Sequence, residues 1–157
     1  MSLVKIEKKP KELLEKEVFL DFSPKIDSNR VELNLNLRTY SEAQTIAVKK
    51  KNGKYTTEHW TAKHKRHKKQ KNAIFWAYME VREFVKYPCT ITFVRYAPKT
   101  LDAHDNLPMS FKWICDALAA EITGEHRPGL ADNFEGLTIK YDQVKSKVYG
   151  VKIIIEF

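Results

Sequence analysis

The sequence contains few cysteines and no long apolar run. Its two cysteines, Cys89 and Cys115, do not form a C-x-x-C pair, which argues against a disulfide framework and for a reducing cytosol. No stretch approaches the roughly 20 apolar residues of a membrane span. Residues 1–5 also lack the apolar segment of a targeting peptide. We therefore expect a cytoplasmic protein that has no membrane partner.

Signatures of several common kinds of catalysis are also missing. There is neither a G-x-x-x-x-G-K-[ST] phosphate loop nor a G-x-S-x-G nucleophile elbow, so a nucleotide cofactor and serine-type chemistry lack support. His59, His64 and His67 lie close together in the chain. Without a cysteine pair or an H-E-x-x-H motif, however, they are a poor indication of zinc.

Positive charge, by contrast, is plentiful. The 157 residues include 28 Lys+Arg and 20 Asp+Glu, which gives a formal net charge of +8. The apolar and charged fractions are those of an ordinary globular protein. This balance favours a polyanionic partner, which is nucleic acid more often than an anionic membrane surface. The length leaves room for one domain with a modest core.

The hydrophobic pattern predicts helices and strands in mixed order. Residues 31–37 alternate between apolar and polar, which predicts a half-buried strand. Its inward-facing residues are expected to be Val31, Leu33, Leu35 and Leu37. Asn52-Gly53 predicts a hairpin or a loop within residues 41–58. The further predictions are a helix at 60–86, a strand at 90–96, a helix at 106–122, and strands at 137–141 and 148–157.

These elements define the expected architecture. The fold class is α+β, with a small mixed β-sheet and two main helices. Residues 31–157 are expected to form a single domain, and the last two strands to be antiparallel neighbours. Residues 1–30 form an extension of uncertain structure, with a short helix at 11–18.

The second helix carries a candidate chemical site. At 100° per residue, one stripe of its surface is apolar and predicts the core face. That stripe contains Leu107, Phe111, Ile114, Leu118 and Ile122. Asp105, Lys112 and Asp116 fall on a different side, because i, i+7 and i+11 nearly coincide in a 3.6-residue period. Spacing alone favours a simple interpretation, in which Asp105 caps the helix and Lys112 pairs with Asp116 on the surface.

Four short sequence elements favour a chemical site over this simple structural interpretation. They are L-D-A-H-D-N-L at 101–107, F-K-x-x-x-D-A-L-A at 111–119, A-D-N at 131–133 and I-K-Y-D-Q at 139–143. Their order resembles the RusA-type Holliday junction resolvases of phages and prophages. That family has D-x-D-N-L, a helix with K-x-x-x-D, an acidic pair in the following loop and a strand ending in Gln. The matching order covers about residues 88–157.

The resemblance implies a small α+β homodimer that cleaves branched DNA with Mg²⁺, or with Mn²⁺ in its place. Carried over by position, the catalytic residues are Asp102, Asp105, Lys112 and Asp132. The three aspartates would hold the metal, with His104, Asn133 and Asp116 as further candidate ligands. Lys112 would stabilise the charge that develops on the phosphate.

Two departures from the family pattern leave alternatives open. Two residues separate Asp102 from Asp105 where the family has one, and Asn133 stands where the second acidic residue is expected. One alternative is a protein of the same fold that binds branched DNA with weak or no cleavage. Another is a general basic nucleic-acid-binding protein in which the acidic residues are only structural.

Residues 63–71 form a basic stretch with six Lys or Arg and two His. In a nuclease, such a stretch would contact DNA phosphates. The residues predicted to do so are Lys63, Lys65, Arg66, Lys68, Lys69 and Lys71. The simpler interpretation is a solvated helix face. Trp60 and Trp76 are candidates for stacking on unpaired bases, although core packing is the stronger expectation for Trp76.

Overall fold

The computed structural model describes residues 23–42, 46–127 and 129–157. The helix expected at residues 11–18 lies outside the described residues. The strands are β1 (Lys25–Asp27), β2 (Arg30–Leu35), β3 (Ala47–Lys49), β4 (Tyr55–Thr57), β5 (Cys89–Ala97), β6 (Leu137–Lys145) and β7 (Gly150–Glu156). The helices are α1 (Trp60–Val81), α2 (Asn106–Ser110) and α3 (Lys112–Thr123), with a 3₁₀ turn at Ala131–Asn133. The expected α+β class is confirmed.

Five strands form one mixed sheet in the order β1-β2-β7-β5-β6. β7 is antiparallel to both β2 and β5, whereas β6 runs parallel to β5. The prediction that the last two strands are neighbours was therefore wrong, because β5 lies between them. The physical reason is burial. β5 is buried or half-buried along its whole length, as a central strand must be, while every second residue of β6 is exposed.

The helices share one core with a single face of the sheet. Val31, Leu33 and Leu37 are buried as expected, and Leu35 packs against the core from a partly buried position. The predicted apolar stripe of the second helical region is also confirmed. Its residues Leu107, Phe111, Ile114 and Leu118 are buried, and Ile122 packs partly buried against them.

Helix α1 begins as the sequence predicts but ends earlier. The ring of His59 caps its first turn by accepting a hydrogen bond from the Thr61 N–H at 3.3 Å. The helix ends at Val81 rather than at residue 86. Residues 82–84 are exposed turns, and the next core contact toward Pro88, from the partly buried Val85, comes after the helix has ended. The core stripe of α1 therefore stops at Val81.

The helix expected at 106–122 is two helices that meet at Phe111. The Phe111 N–H bonds to the carbonyl of Pro108 at 3.1 Å, and the Ser110 hydroxyl bonds to the carbonyl of Leu107 at 2.7 Å. Pro108 lies in the first turn of α2, where the missing N–H of proline leaves no helical hydrogen bond unmade. The fully buried Phe111 ring then starts α3 from inside the core. The ridge predicted from one continuous helix is thus divided between two helices.

The expected hairpin is confirmed as a separate two-stranded sheet of β3 and β4. Gly53 has a φ of 81°, and Asn52 accepts a hydrogen bond from the Lys54 N–H at 3.1 Å. Glycine adopts that backbone conformation without a steric penalty. Within the described residues, no helix combines the length and the apolar character needed to cross a membrane.

Candidate functional site

The loop after β5 carries the first pair of predicted site residues. Gln143 of β6 anchors this loop, because its side-chain amide bonds to both the N–H and the carbonyl of Leu101. The carboxylate of Asp102 accepts the N–H of His104 at 3.0 Å, and its carbonyl accepts the N–H of Leu107 at 2.8 Å. Asp105 precedes α2, and its exposed side chain makes no capping bond. Its carboxylate is therefore accessible.

A second group of predicted site residues surrounds a buried thiol and phenol. The hydroxyl of Tyr141 lies 3.8 Å from the sulfur of Cys115. Burial raises the pKa of Cys115 to about 12 and raises that of Tyr141, and the negative charges of Asp116 and Asp132 add to both effects. Lys112 pairs with Asp116 at 3.4 Å. Asp116 and Asp132 thus act electrostatically on the same two side chains, and Lys112 lies beside Asp116.

Strand β6 connects the two groups. Tyr141 and Gln143 are two residues apart in an extended strand, so both side chains leave the same face, about 7 Å apart. Tyr141 contacts Cys115 of α3, the helix that bears Lys112 and Asp116, and Gln143 fixes the loop that bears Asp102 and Asp105. The I-K-Y-D-Q element is therefore a support that connects two acidic segments.

Asn133 lies beside a predicted metal ligand. Its side-chain amide donates to one carboxylate oxygen of Asp132 at 3.4 Å, within the 3₁₀ turn Ala131–Asn133. An amide in this position removes one negative charge relative to the acidic pair of the family pattern. The Asn133 amide also contacts a carboxylate oxygen of Asp132 that a metal cation would otherwise bind.

The predicted ligands are carboxylates, which is the ligand type that Mg²⁺ prefers, but in the part of the chain that the structure describes they do not form a complete metal site. Among the described residues, no group of three or more His, Cys, Asp or Glu side chains is placed to hold a metal ion. Mg²⁺ prefers carboxylate oxygen and usually keeps several waters, with one or two carboxylates and the substrate phosphates completing its shell. The aspartates form two separate pairs, Asp102 with Asp105 and Asp116 with Asp132. Such pairs suit a cation that is bound by one or two carboxylates better than a cation enclosed by protein ligands.

The basic stretch on α1 divides into paired and unpaired cations. The side chain of Arg66 is 13% exposed, and its guanidinium bonds to Glu42 at 2.7 Å and to Glu58 at 3.0 Å. Lys63 lies 3.5 Å from Glu42. Lys65, Lys68 and Lys69 are exposed, and the described part of the chain places no carboxylate within ion-pair distance of them. These three lysines, together with the exposed and, among the described residues, equally unpaired Lys71, are the cations of the stretch most available to a ligand.

Glu42 and His67 form contacts between α1, α3 and the preceding loop that the sequence reasoning missed. The imidazole of His67 lies 3.0 Å from Glu42 and stacks on Trp113 with 4.1 Å between ring centroids. Burial lowers the pKa of His67, and the positive charges of Arg66 and Lys63 lower it further, against the effect of Glu42. Burial opposes ionisation of Glu42, but Arg66 and His67 lower its pKa overall. Glu42 is 24 residues from Arg66 in the sequence, so no local sequence pattern predicts this ion pair.

Trp76 is not a core residue, contrary to the prediction. Its side chain is 67% exposed, because it lies on the side of α1 opposite the buried Ile74 and Tyr78. The exposed side of α1 also carries Lys65 and Lys69, because positions i, i+4 and i+11 (Lys65, Lys69 and Trp76) fall on one side of a helix. Trp60 is also largely exposed.

A groove between α1 and α3 was not anticipated from the sequence. It has a volume of about 670 Å³ and is bordered by Lys71 and Phe75 from α1 and by Trp113 and Asp116 from α3. Lys112 also lines it, so the groove adjoins the second acidic group. Its position next to a predicted catalytic residue makes it part of the candidate site.

Comparison with known protein families finds no family model that matches the chain, and comparison with curated proteins finds no significant match. The resemblance to RusA-type resolvases thus remains a prediction drawn from the residues themselves.

Proposed function

We propose that the chain is a Mg²⁺-dependent endodeoxyribonuclease of RusA type that cleaves branched DNA such as Holliday junctions, in phage DNA recombination or repair. The observation that carries the proposal is the double role of β6. Through Gln143 this strand fixes the loop that bears Asp102 and Asp105, and through Tyr141 it contacts α3, which bears Lys112 and Asp116. Carboxylates supported by one rigid strand are what metal-assisted phosphodiester cleavage requires.

The proposed roles follow the positions of the side chains. Asp102, Asp105 and Asp132 would hold Mg²⁺ or Mn²⁺, and Asp116 is the further carboxylate next to Lys112. A cation held by these residues would polarise a phosphoryl oxygen and lower the pKa of a water. Lys112, paired with Asp116 in the free protein, would turn its ammonium group toward the phosphate as negative charge builds up there.

The exposed lysines would hold the DNA. Lys65, Lys68 and Lys69 project from α1 without a carboxylate partner in the described part of the chain, so they are available to phosphates. In the proposal, the protein acts as a homodimer in the cytoplasm, without a nucleotide cofactor. A two-fold dimer would present two such sites to the two-fold arrangement of a four-way junction.

The test is cleavage of a labelled four-way junction by the purified full chain, with Mg²⁺ or Mn²⁺ and with EDTA. We expect metal-dependent nicks near the branch point, reduced about 100-fold or more by Asp105→Asn. Asp27→Asn is the matched control, because Asp27 is also exposed but lies on β1. Cleavage that Asp105→Asn leaves unchanged would contradict the proposal.

A second candidate is a branched-DNA-binding protein of the same fold that has lost cleavage. The contact of the Asn133 amide with Asp132 favours it, since an amide has replaced a charge in the acidic pair. Retardation of the junction without nicking in either metal would support this candidate. Equal affinity for junction, duplex and single strand would instead indicate a general basic nucleic-acid-binding protein.

A further inference from the structure

The groove between α1 and α3 has the size and lining of a binding site for a small flat group. Its volume of about 670 Å³ lies within the usual range of ligand pockets, about 300–1,000 Å³. Phe75 on one wall is 38% exposed, although it is a large aromatic residue. Ala117 and Ala120 of α3 form part of the lining and leave room for a planar ring next to Phe75. The groove is therefore accessible, partly apolar and aromatic, and the carboxylates of Asp116, Glu121 and Glu125 also line it.

The cations around the groove are not equivalent. Lys112 pairs with Asp116 at 3.4 Å, and Arg127 pairs with Glu125 at 2.6 Å. Lys71 has no carboxylate within ion-pair distance among the described residues. A groove that followed a duplex backbone would need several available cations. One available cation beside an aromatic surface matches one phosphate and one base.

Lys71 is also held in place. Its ammonium lies 5.0 Å from the centre of the Trp113 ring, and His67 stacks on that ring. Lys71 and Phe75 are one helical turn apart, so they project from the same side of α1 about 5–6 Å from each other. A nucleotide carries its phosphate and its base a comparable distance apart. Lys68, one turn before Lys71, would continue the path of the backbone along the helix.

We propose that this groove binds one unpaired nucleotide of the DNA substrate, with its base against Phe75 and its phosphate at Lys71. A base inside a duplex is stacked on both faces and cannot reach such a groove, so only an unpaired or displaced nucleotide can enter. The proposal rests on DNA binding in the proposed function but not on cleavage. Where a base is displaced from the stack at a branch point, such a groove would distinguish the branch from continuous duplex.

The test uses duplexes that are identical except for one bulged 2-aminopurine nucleotide, with EDTA present so that no cleavage occurs. We expect tighter binding of the bulged duplex than of the fully paired one, with a fall in 2-aminopurine fluorescence as the base stacks. Phe75→Leu keeps an apolar side chain but removes the ring, and should weaken bulge binding roughly 5- to 150-fold. Phe75→Tyr should restore it, and binding of the paired duplex should not change.

Lys71→Gln should also weaken bulge binding and reduce the slope of log affinity against log salt by about 1. The control variants are Phe84→Leu and Lys51→Gln, which alter an exposed phenylalanine and an exposed lysine outside the groove. Thermal unfolding followed by circular dichroism verifies that each variant is folded.

Equal affinity of the unmutated protein for bulged and paired duplex would overturn the inference, as would full bulge preference in Phe75→Leu. Tighter binding of the same bulge in RNA, or of free 2-aminopurine nucleotide, would also overturn it. A protein that prefers the bulge through Phe75 but never cuts a junction supports the groove and refutes the nuclease. Cleavage of junctions without bulge preference refutes the groove alone.

Discussion

Gln143 holds the backbone of Leu101 at two points, accepting its N–H at 2.8 Å and donating to its carbonyl at 2.7 Å across 42 residues of sequence. Replacing Gln143 with Leu leaves both backbone groups without partners. We expect a loss of about 1–3 kcal/mol in the free energy of unfolding. Because the Leu101 loop also bears Asp102 and Asp105, junction cleavage should fall as well.

Urea unfolding and junction cleavage measure the two effects of Gln143→Leu separately. Lys140→Gln is the control, since Lys140 is an exposed residue of the same strand. If Gln143→Leu unfolds at the same urea concentration as the control, the two hydrogen bonds do not stabilise the loop.

Asn133 offers a gain-of-function prediction. Asn133→Asp adds a carboxylate beside Asp132 and removes the amide that contacts it. If cleavage is limited by the missing charge, metal-dependent nicking of the junction should rise about tenfold or more. Asn36→Asp adds the same charge to an exposed loop elsewhere and should have no effect. A rise in both variants would point to net charge rather than to the site.

His67 predicts a loss of stability at mildly acidic pH. Its folded-state pKa lies below the ordinary value of about 6.5, because the ring is buried near Arg66 and Lys63. At a pH above the ordinary value of about 6.5, His67 is neutral in both the folded and the unfolded state. As the pH falls below it, the unfolded chain takes up the proton first, so folding becomes less favourable.

The urea midpoint should therefore decrease between about pH 7.5 and pH 5.5. His67→Phe keeps an aromatic ring against Trp113 but cannot be protonated, so its midpoint should change less over this range. The same decrease in both proteins would assign the effect to another group.

The two kinds of cation on α1 should respond differently to substitution. Lys69→Gln should reduce the salt dependence of junction binding by about 1 unit of slope and leave stability unchanged, since Lys69 is exposed. Arg66→Gln should instead lower stability by about 1–3 kcal/mol, because Glu42 and Glu58 lose their shared partner. Salt titration of binding and urea unfolding on both variants would check this. The reverse pattern would mean that Arg66 is a DNA contact.

Much of the fold follows from periodicity, because burial repeats with the geometry of each element. The inward residues of β2 and the core stripe from Leu107 to Leu118 were predicted correctly for this reason. The break between α2 and α3 at Phe111 leaves the apolar stripe from Leu107 to Leu118 on one side. The hydrophobic periodicity therefore does not reveal the break. The order of β5, β6 and β7 depends on which strand is buried on both sides, and that is decided by packing between distant segments.

The candidate site was only partly predictable. Motif order indicates Asp105 and Asp132, but the supports that position them are long-range contacts. Gln143 reaches Leu101 over 42 residues, and Glu42 reaches Arg66 over 24. The exposure of Trp76 was missed because aromatic residues inside a helix usually pack in the core. Here the helix has a single buried side and Trp76 lies on the other.

The position of β7 has a consequence for synthesis of the protein on the ribosome. β7 separates β2 from β5, and it is made after both of them. Until residues 150–156 leave the exit tunnel, β2 and β5 each expose an unpaired edge that can join with another chain. The nascent chain should therefore be most open to aggregation and to chaperone binding immediately before its sheet is completed, and a ribosome stalled before residue 150 should hold a protease-sensitive β2.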